Sequence, residues 1–249
     1  MREQPEQQAP PVQRLRVRYA KRGRLRFTSH RDFSRAFERA LVRAQVPVAY
    51  SSGFNPHPRI SYAGASPTGA ASEAEYLEIG MAAEVDPAVL GTALDEALPP
   101  GLDVLEVVVS PGGSLADRLE ASHWRITVDV PVDEASAAVA TFLAADEVSV
   151  ERMTKKGLRT FDCRAAVVSL AVSPSESASD GGSGECAILD VVLRHGTPSV
   201  RPDDILAGLR AAAGLEVSGA PLHERLAQGP LDTELGTVED PFAPDRDTA

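Results

Sequence analysis

The chain has 249 residues, of which 43% are apolar and 24% are charged, and its formal net charge is −11. This length accommodates one large domain or two modest ones. No apolar run reaches the roughly 18 residues of a membrane span, and MREQPEQQAPP lacks the apolar segment of a signal peptide. The two cysteines, without CxxC, HExxH or HxH spacing, argue against a disulfide framework, an iron–sulfur cluster and a zinc site. We therefore expect a cytoplasmic protein with no metal, no cofactor and no membrane contact.

The first half of the chain predicts the element order β-α-β-β-α-β from its hydrophobic periodicity. Asp86-Pro87 suits the first turn of a helix, and Pro99-Pro100-Gly101 ends that helix. The predicted elements are a strand region over 14–28, a helix over 30–45, strands near 46–51 and 75–82, a helix over 86–98 and a strand over 102–109.

The second half repeats this order. Its predicted elements are strands over 123–130, 147–153, 160–172, 186–194 and 215–219, helices over 133–145 and 202–213, and a flexible loop over 174–185. The fold class is therefore α+β, with two tandem ferredoxin-like halves and disordered termini. The predicted domains are a disordered tail (1–13), a first half with a basic face (14–110), a linker (111–121), a second half (122–227) and an acidic disordered tail (228–249).

Positive charge is concentrated near the start of the chain. Residues 14–62 hold 12 of the 25 lysines and arginines and only two acids, so this window carries about +10. Its first part alternates strictly, with Arg14, Arg16 and Arg18 opposite apolar neighbours. A loop at 21–23 would then return the chain so that Arg24 and Arg26 share that face. The pattern predicts five arginines on an open sheet face, although a merely solvated face would give the same pattern.

The helix that follows is basic on one side. Phe33, Phe37 and Leu41 form an apolar stripe, and the other side carries cations at i, i+4 spacing. These cations are Arg31, Arg35, Arg39 and Arg43. Like charges so spaced repel by a few tenths of a kcal/mol per pair, so a helix that keeps them commonly has an anionic partner. RNA or DNA phosphate, an acidic protein surface and the acidic tail of this chain are all compatible with the spacing.

The sequence YSSGFNPHPRISY at 50–62 predicts a stiff polar loop. Two prolines fix the backbone around His57, and Gly53 permits a tight turn. Phe54, Asn55, His57 and Arg59 would be displayed for recognition. A wide turn in which His57 bonds a carbonyl is the structural alternative.

Three strings in this region resemble the radical-SAM-linked protein family, whose function is uncharacterised. They are GFNPHPRISYA (53–63), RLRFTSHRDFSRAFERAL (24–41) and SPTGAASEAEYLEI (66–79), within a similarity that spans about 14–225. In that family the domain is fused to a radical SAM protein or encoded beside one. This chain lacks the CxxxCxxC triad of the partner, so the resemblance implies an accessory protein whose radical SAM enzyme is a separate chain.

These observations favour a non-catalytic accessory protein that binds RNA or an RNA-associated substrate through its basic face. One alternative is a metal-independent ribonuclease that uses His30 or His57 as a general base. Another is a protein–protein adaptor whose arginine helix docks on the radical SAM partner.

The acidic residues have a structural interpretation. Salt bridges to the basic segment are expected for Glu73, Glu75 and Glu78, and the acidic tail is expected to screen the basic face.

Overall fold

A computed structural model describes residues 7–154, 157–175 and 186–246 of the chain. The chain divides into two units, Met1–Arg118 with Asp240–Ala249, and Leu119–Glu239. Each combines an antiparallel sheet with helices, so the predicted α+β class is confirmed. None of the helices in the described residues has both the length and the apolarity that a membrane span needs.

The first unit is a four-stranded antiparallel sheet with two long helices and one short helix. Its elements are β1 (Gln13–Lys21), α1 (His30–Arg43), β2 (Ile60–Ala63), β3 (Ala71–Met81), α2 (Pro87–Ala97), β4 (Val104–Val109) and the short α5 (Ala243–Arg246). The strands lie in the order β4-β1-β3-β2, and the β1–β3 register places Arg16 opposite Glu78. The first strand is therefore central and pairs on both edges.

The core of the first unit lies between this sheet and the two helices. Leu15, Val17 and Tyr19 alternate along β1 and are buried together with Phe33 and Phe37 of α1. The α1 helix begins as predicted, because the Ser29 side chain accepts a hydrogen bond from the backbone N–H of Asp32 at 3.2 Å. Apolar burial thus sets one face of β1 and one face of α1 toward the core, and their arginines face elsewhere.

The second unit has a sheet with the same strand order, β10-β5-β9-β8. Its elements are β5 (Ala121–Asp129), α3 (Val132–Ala144), β6 (Ser149–Thr154), β7 (Gly157–Asp162), β8 (Val167–Pro174), β9 (Ala187–Arg194), α4 (Pro202–Ala213), β10 (Ser218–Gly229), β11 (Leu231–Asp232) and β12 (Thr237–Val238). The pairs β6–β7 and β11–β12 form separate two-stranded sheets. The first unit has the β-α-β-β-α-β order, and the second has it in its main sheet, with the β6–β7 pair added; the strand predicted over 160–172 is divided between β7 and β8. The description of the units as ferredoxin-like domains stays a prediction.

The predicted hairpin that returns over residues 24–27 is wrong. Gly23–Phe27 is a 3₁₀ helix, in which the backbone N–H of Thr28 donates to the carbonyl of Leu25 at 2.9 Å. The reason is topological, because both edges of β1 are already paired, with β3 and with β4. Arg24 and Arg26 therefore do not share a sheet face with the arginines of β1.

Residues 46–51 also differ from the prediction. They form only the isolated bridges Val48↔Met81 and Tyr50↔Pro58. The strand that pairs with β3 beside β1 is β2, which begins inside the region predicted as a loop. The last strand of the second half begins near its predicted position but extends to Gly229 as β10. Most of the predicted loop over 174–185 lies outside the described residues.

The acidic segment from residue 228 is not a disordered tail over its described part. Gln228 and Gly229 pair with Ser122 and Ala121 as the end of β10, and β11–β12 follows. Residues 240–246 belong to the first unit, where Phe242 is fully buried and its ring centroid lies 5.3 Å from that of Tyr76. The sequence of this segment is acidic and interrupted by prolines, yet one aromatic and one acidic residue in it are buried in the core.

The tail predicted over residues 1–13 lies partly outside the described residues, which begin at residue 7. Within its described part, Val12 donates its N–H to the carbonyl of Met81.

Candidate functional site

The arginines of β1 face away from the core as predicted, but Arg16 is not on an open surface. Its side chain is fully buried, and Nη1 donates to the Asp245 carboxylate of α5 at 2.7 Å. Nε donates to Glu78 at 3.1 Å, and Nη2 donates to the carbonyls of Gly112 and Gly113. This guanidinium is a structural group, and the expectation that it binds an external ligand is wrong.

The neighbouring strand arginines are also engaged by the protein. Arg14 donates from Nη1 to Glu78 at 3.0 Å, although its side chain keeps 59% of its exposure. Arg18 is half-buried and donates from Nε to the carbonyl of Glu73 at 2.9 Å. Arg22 binds the carboxylates of Glu73 and Asp103. The predicted open face of five arginines is therefore corrected to a strand whose cations bond the protein itself.

The arginines of α1 have a different environment. Arg31, Arg35 and Arg39 are exposed at i, i+4 spacing, and we call these three residues the α1 basic face. No ion pair of any of them occurs among the described residues. The fourth member of the row, Arg43, donates from Nη1 to the carbonyl of Ala97 and so ties α1 to α2. The α1 basic face is the strongest set of uncompensated charge in the predicted site.

The 3₁₀ helix before α1 adds cations and an aromatic ring. Arg24 is exposed, and the Cζ of the half-buried Arg26 lies 4.8 Å from the centroid of the Phe27 ring. Phe27 is 60% exposed, although it is one of the largest apolar side chains in this segment. An exposed ring beside guanidinium groups can stack on a planar ligand.

The loop between Ser51 and His57 is closed by two hydrogen bonds. The N–H of Ser51 donates to the carbonyl of His57 at 2.8 Å, and the N–H of His57 donates to the hydroxyl of Ser51 at 3.0 Å. Gly53 at the turn has φ of 128°, a conformation that favours glycine. Phe54 is 66% exposed at the tip, and Asn55 and His57 are exposed beside it. The predicted loop is thus stiff and displays three of the four residues singled out in it.

The fourth residue, Arg59, lies at the base of this loop. Its Nε donates to the carbonyl of Tyr50 at 3.0 Å, and its backbone carbonyl accepts from Gly80 of β3. The side chain is half-buried. Arg59 is therefore held by the sheet, away from the loop tip.

His30 and His57 are not brought together in the described residues. The His30 ring packs edge-on to Tyr62 of β2, with centroids 4.8 Å apart, and Tyr62 also packs on Phe33. Burial raises the pKa of Tyr62. His57 lies in the loop, and no hydrogen bond or ring contact between the two histidines occurs in the described part of the chain. The described part of the chain thus brings no pair of histidines together for general acid–base catalysis.

Other catalytic groups are equally scarce in the described residues. Burial raises the pKa of the Cys163 thiol to about 12, with a further contribution from Asp162, so the thiol is a poor nucleophile at neutral pH. No cluster of three or more metal-ligating side chains occurs in the described ranges. Glu73 and Glu78 form salt bridges, and Glu75 accepts a hydrogen bond from the N–H of Ser66.

The buried cluster around Asp245 is the feature that sequence reasoning missed. Asp245 accepts hydrogen bonds from both Arg16 and Arg118, and its side chain is fully buried. The carbonyl of Pro241 accepts a second bond from Arg118. The only sequence signal is the aromatic and acidic composition of residues 240–246, which the surrounding prolines and acids obscure.

A family model described as an uncharacterised protein conserved in bacteria (DUF2344) matches residues 14–202, which is more than half of the chain. No curated protein matches the chain significantly. Among solved structures, the chain is similar to the crystal structure of an unknown protein from Galdieria sulphuraria, with 13% sequence identity and a TM-score of 0.24. That alignment covers 86% of this chain and 98% of that chain. The family is described by no activity.

Proposed function

This chain belongs to the DUF2344 family of uncharacterised bacterial proteins, and we propose that it is a non-catalytic accessory protein that binds RNA through the α1 basic face. We propose further that it serves a separate radical SAM enzyme. The support for that partnership is the resemblance of GFNPHPRISYA and the strings around it to the radical-SAM-linked family.

The observation that carries the RNA proposal is the contrast between two rows of arginines in one unit. The cations of β1 are bonded to carboxylates and carbonyls of the protein, whereas those of the α1 basic face are exposed without a described ion pair. Repulsion along the row costs a few tenths of a kcal/mol per neighbouring pair. A row that the fold leaves uncompensated is available to an external polyanion.

The spacing and surroundings of the row suit a nucleic acid. Residues four apart on a helix recur about 6 Å along its axis, so the guanidinium groups can follow a line of phosphates. Arg24 continues the positive charge on the preceding 3₁₀ helix, and Phe27 supplies an exposed ring in that segment. Unpaired bases can stack on such rings, and this favours RNA with single-stranded regions over duplex DNA.

The test is binding of the purified protein to a transfer RNA, a ribosomal RNA fragment and duplex DNA across a salt series. We expect preference for RNA and an affinity that falls with salt at a slope of about 0.7 to 0.9 per contacted phosphate. The variant R31E/R35E/R39E should lose this binding. The matched control is R159E/R194E/R210E, which makes the same charge change at three exposed arginines of the second unit and should retain it.

Three results would count against the proposal. Equal loss in both triple variants would mean that only net charge matters. Cleavage of the RNA that disappears in H30A/H57A would favour the ribonuclease alternative. Absence of RNA binding, together with co-purification of a protein that depends on Arg35 and Arg39, would favour the adaptor. The radical SAM partnership itself requires that a co-purified protein carry the CxxxCxxC motif.

A further inference from the structure

A polar pocket of about 280 Å³ lies in the first unit between the base of the loop and the end of β1. Its lining includes Pro11, Arg14, Arg59, Ser61, Glu78 and Gly80. Two of these residues are arginines from separate segments, and neither belongs to the α1 basic face. The pocket is therefore a second concentration of cationic groups, with walls that the helix surface lacks.

Strand register places this pocket on the sheet face that turns away from α1 and α2. Ile60 lies opposite Ile79, which is in the core, so the alternation of β2 directs Arg59 and Ser61 to the other face. Arg14 lies opposite Gly80, and Ser61 lies opposite Glu78. Three adjacent strands thus contribute polar groups to one small area.

Glycine at position 80 lets the walls approach each other. A Cβ at this position would lie 2.8 Å from Cγ of Pro11 and 3.3 Å from Cβ of Arg59. The absence of that atom allows Pro11 and Arg59 to close over the strand. The hydrogen bond from Arg59 Nε to the Tyr50 carbonyl then holds the guanidinium in place.

Both arginines keep donors for a ligand. A guanidinium has five N–H donors in a fixed fork. Arg59 uses Nε, Arg14 uses Nη1 toward Glu78, and the described residues provide no partner for their other guanidinium nitrogens. Glu78 offsets this charge only in part, because its single negative charge also faces the buried Arg16.

We propose that this pocket binds a phosphate monoester. A terminal phosphate carries up to two negative charges and three acceptor oxygens, so it can accept from two guanidinium groups that approach from different strands. The volume accommodates the phosphate with its attached sugar. A free nucleotide and the 5′ end of an RNA present the same group. The pocket does not rest on the proposed function, since it shares no residue with the α1 basic face.

The test uses isothermal titration with adenosine 5′-monophosphate, inorganic phosphate and adenosine as probes. We expect the monophosphate to bind, adenosine not to bind, and R59Q and R14Q each to weaken the monophosphate at least tenfold. R14Q is included in case R59Q does not fold. Arg14 is an exposed side chain, so R14Q should leave the fold intact. The matched control is R194Q, which removes one exposed cation of the second unit, outside both proposed sites, and should leave the affinity unchanged.

A second arm separates the two sources of the phosphate. A short RNA with a 5′-phosphate should bind more tightly than the same RNA with a 5′-hydroxyl if RNA ends are the ligand, and preference for the mononucleotide would assign a free nucleotide. Absence of binding by every phosphate-bearing probe would overturn the proposal, as would equal weakening by R59Q and R194Q. The triple variant R31E/R35E/R39E should keep monophosphate binding, so failure of the RNA proposal remains distinguishable.

Discussion

Two arginines of the first unit show that the residue type alone does not determine whether a side chain is structural or available to a ligand. Arg16 has no exposed surface and bonds two carboxylates and two carbonyls, whereas Arg35 is exposed on α1 without a described ion pair. Both stand in sequence patterns that repeat arginine at regular spacing. The difference arises from what covers each face, and only Arg35 is left for an external ligand.

His195 of the second unit is a residue whose protonation the fold resists. Its Nδ1–H donates to the carbonyl of Leu119 at 2.7 Å, and its Nε2 lies 3.1 Å from the Ser122 hydroxyl, which itself accepts from Trp124. Burial lowers the pKa of His195, the bond to Leu119 opposes this, and the charge of Arg225 lowers it further. The folded state therefore favours the neutral form of the His195 ring.

This environment predicts a pH dependence of stability. In the unfolded chain a histidine takes up a proton near pH 6.5, whereas the folded His195 resists it, so its contribution to the free energy of unfolding declines as pH falls from 7 to 5. Replacement by asparagine, H195N, removes that titration. The decline between pH 7 and pH 5, measured by urea unfolding, should be smaller in H195N than in the parent protein. The exposed His57 is the control, and an H57N variant that flattened the profile equally would contradict the assignment.

At the scale of elements, two helices use glycine in different ways. Gly208 of α4 faces Cys163 and Phe142, and a Cβ there would lie 2.6 Å from the sulfur and 2.8 Å from the ring. Gly91 of α2 has more room, because the nearest atom to an added Cβ is Cγ2 of Val107 at 3.4 Å. The first glycine is required by packing, while the second only lowers the helix propensity of its segment.

These distances predict opposite effects of one substitution. G208A should lower the free energy of unfolding by about 1 to 3 kcal/mol, because the buried Cys163 and Phe142 have to shift. G91A should raise it by about 0.5 to 1 kcal/mol, because alanine is the better helix former. Urea denaturation of the two variants against the parent protein measures both. A stabilised G208A would show that α4 does not pack as closely on Phe142 as the structure indicates.

At the scale of the whole molecule, two segments far apart in the chain, residues 7–118 and residues 240–246, belong to the same unit. Residues 240–246 supply Phe242 and Asp245 to the first unit after the second unit has been completed. The bond between Arg16 and Asp245 joins residues 229 positions apart. The predicted screening of the basic face by the acidic tail is thus corrected. The tail bonds one arginine of that face, the buried Arg16 of β1, and its described contacts do not include the α1 basic face.

The bond between Arg16 and Asp245 predicts that a single substitution at Asp245 strongly lowers the free energy of unfolding. D245N removes the carboxylate that Arg16 and Arg118 share and should cost about 3 to 5 kcal/mol, since the buried Arg16 then keeps only Glu78, which Arg14 also binds. D240N is the matched control, because Asp240 pairs with the partly exposed Arg246, which keeps Glu106, and should cost less than about 1 kcal/mol. Denaturant midpoints of the two variants provide the measurement. Equal losses would show that the interior pair does not hold the end of the chain.

The sequence by itself determined the α+β class, the order of the main helices and strands and the amphipathic character of α1, because these follow from local periodicity, caps and turn residues. Both faces of β1 and the stiff turn around Gly53 were also predictable from neighbouring residues. Only the tertiary structure decided which arginines are free. The return of Asp245 to Arg16 and the pairing of β1 on both edges depend on segments far apart in the chain, and no local pattern encodes which distant carboxylate or strand will occupy a given face.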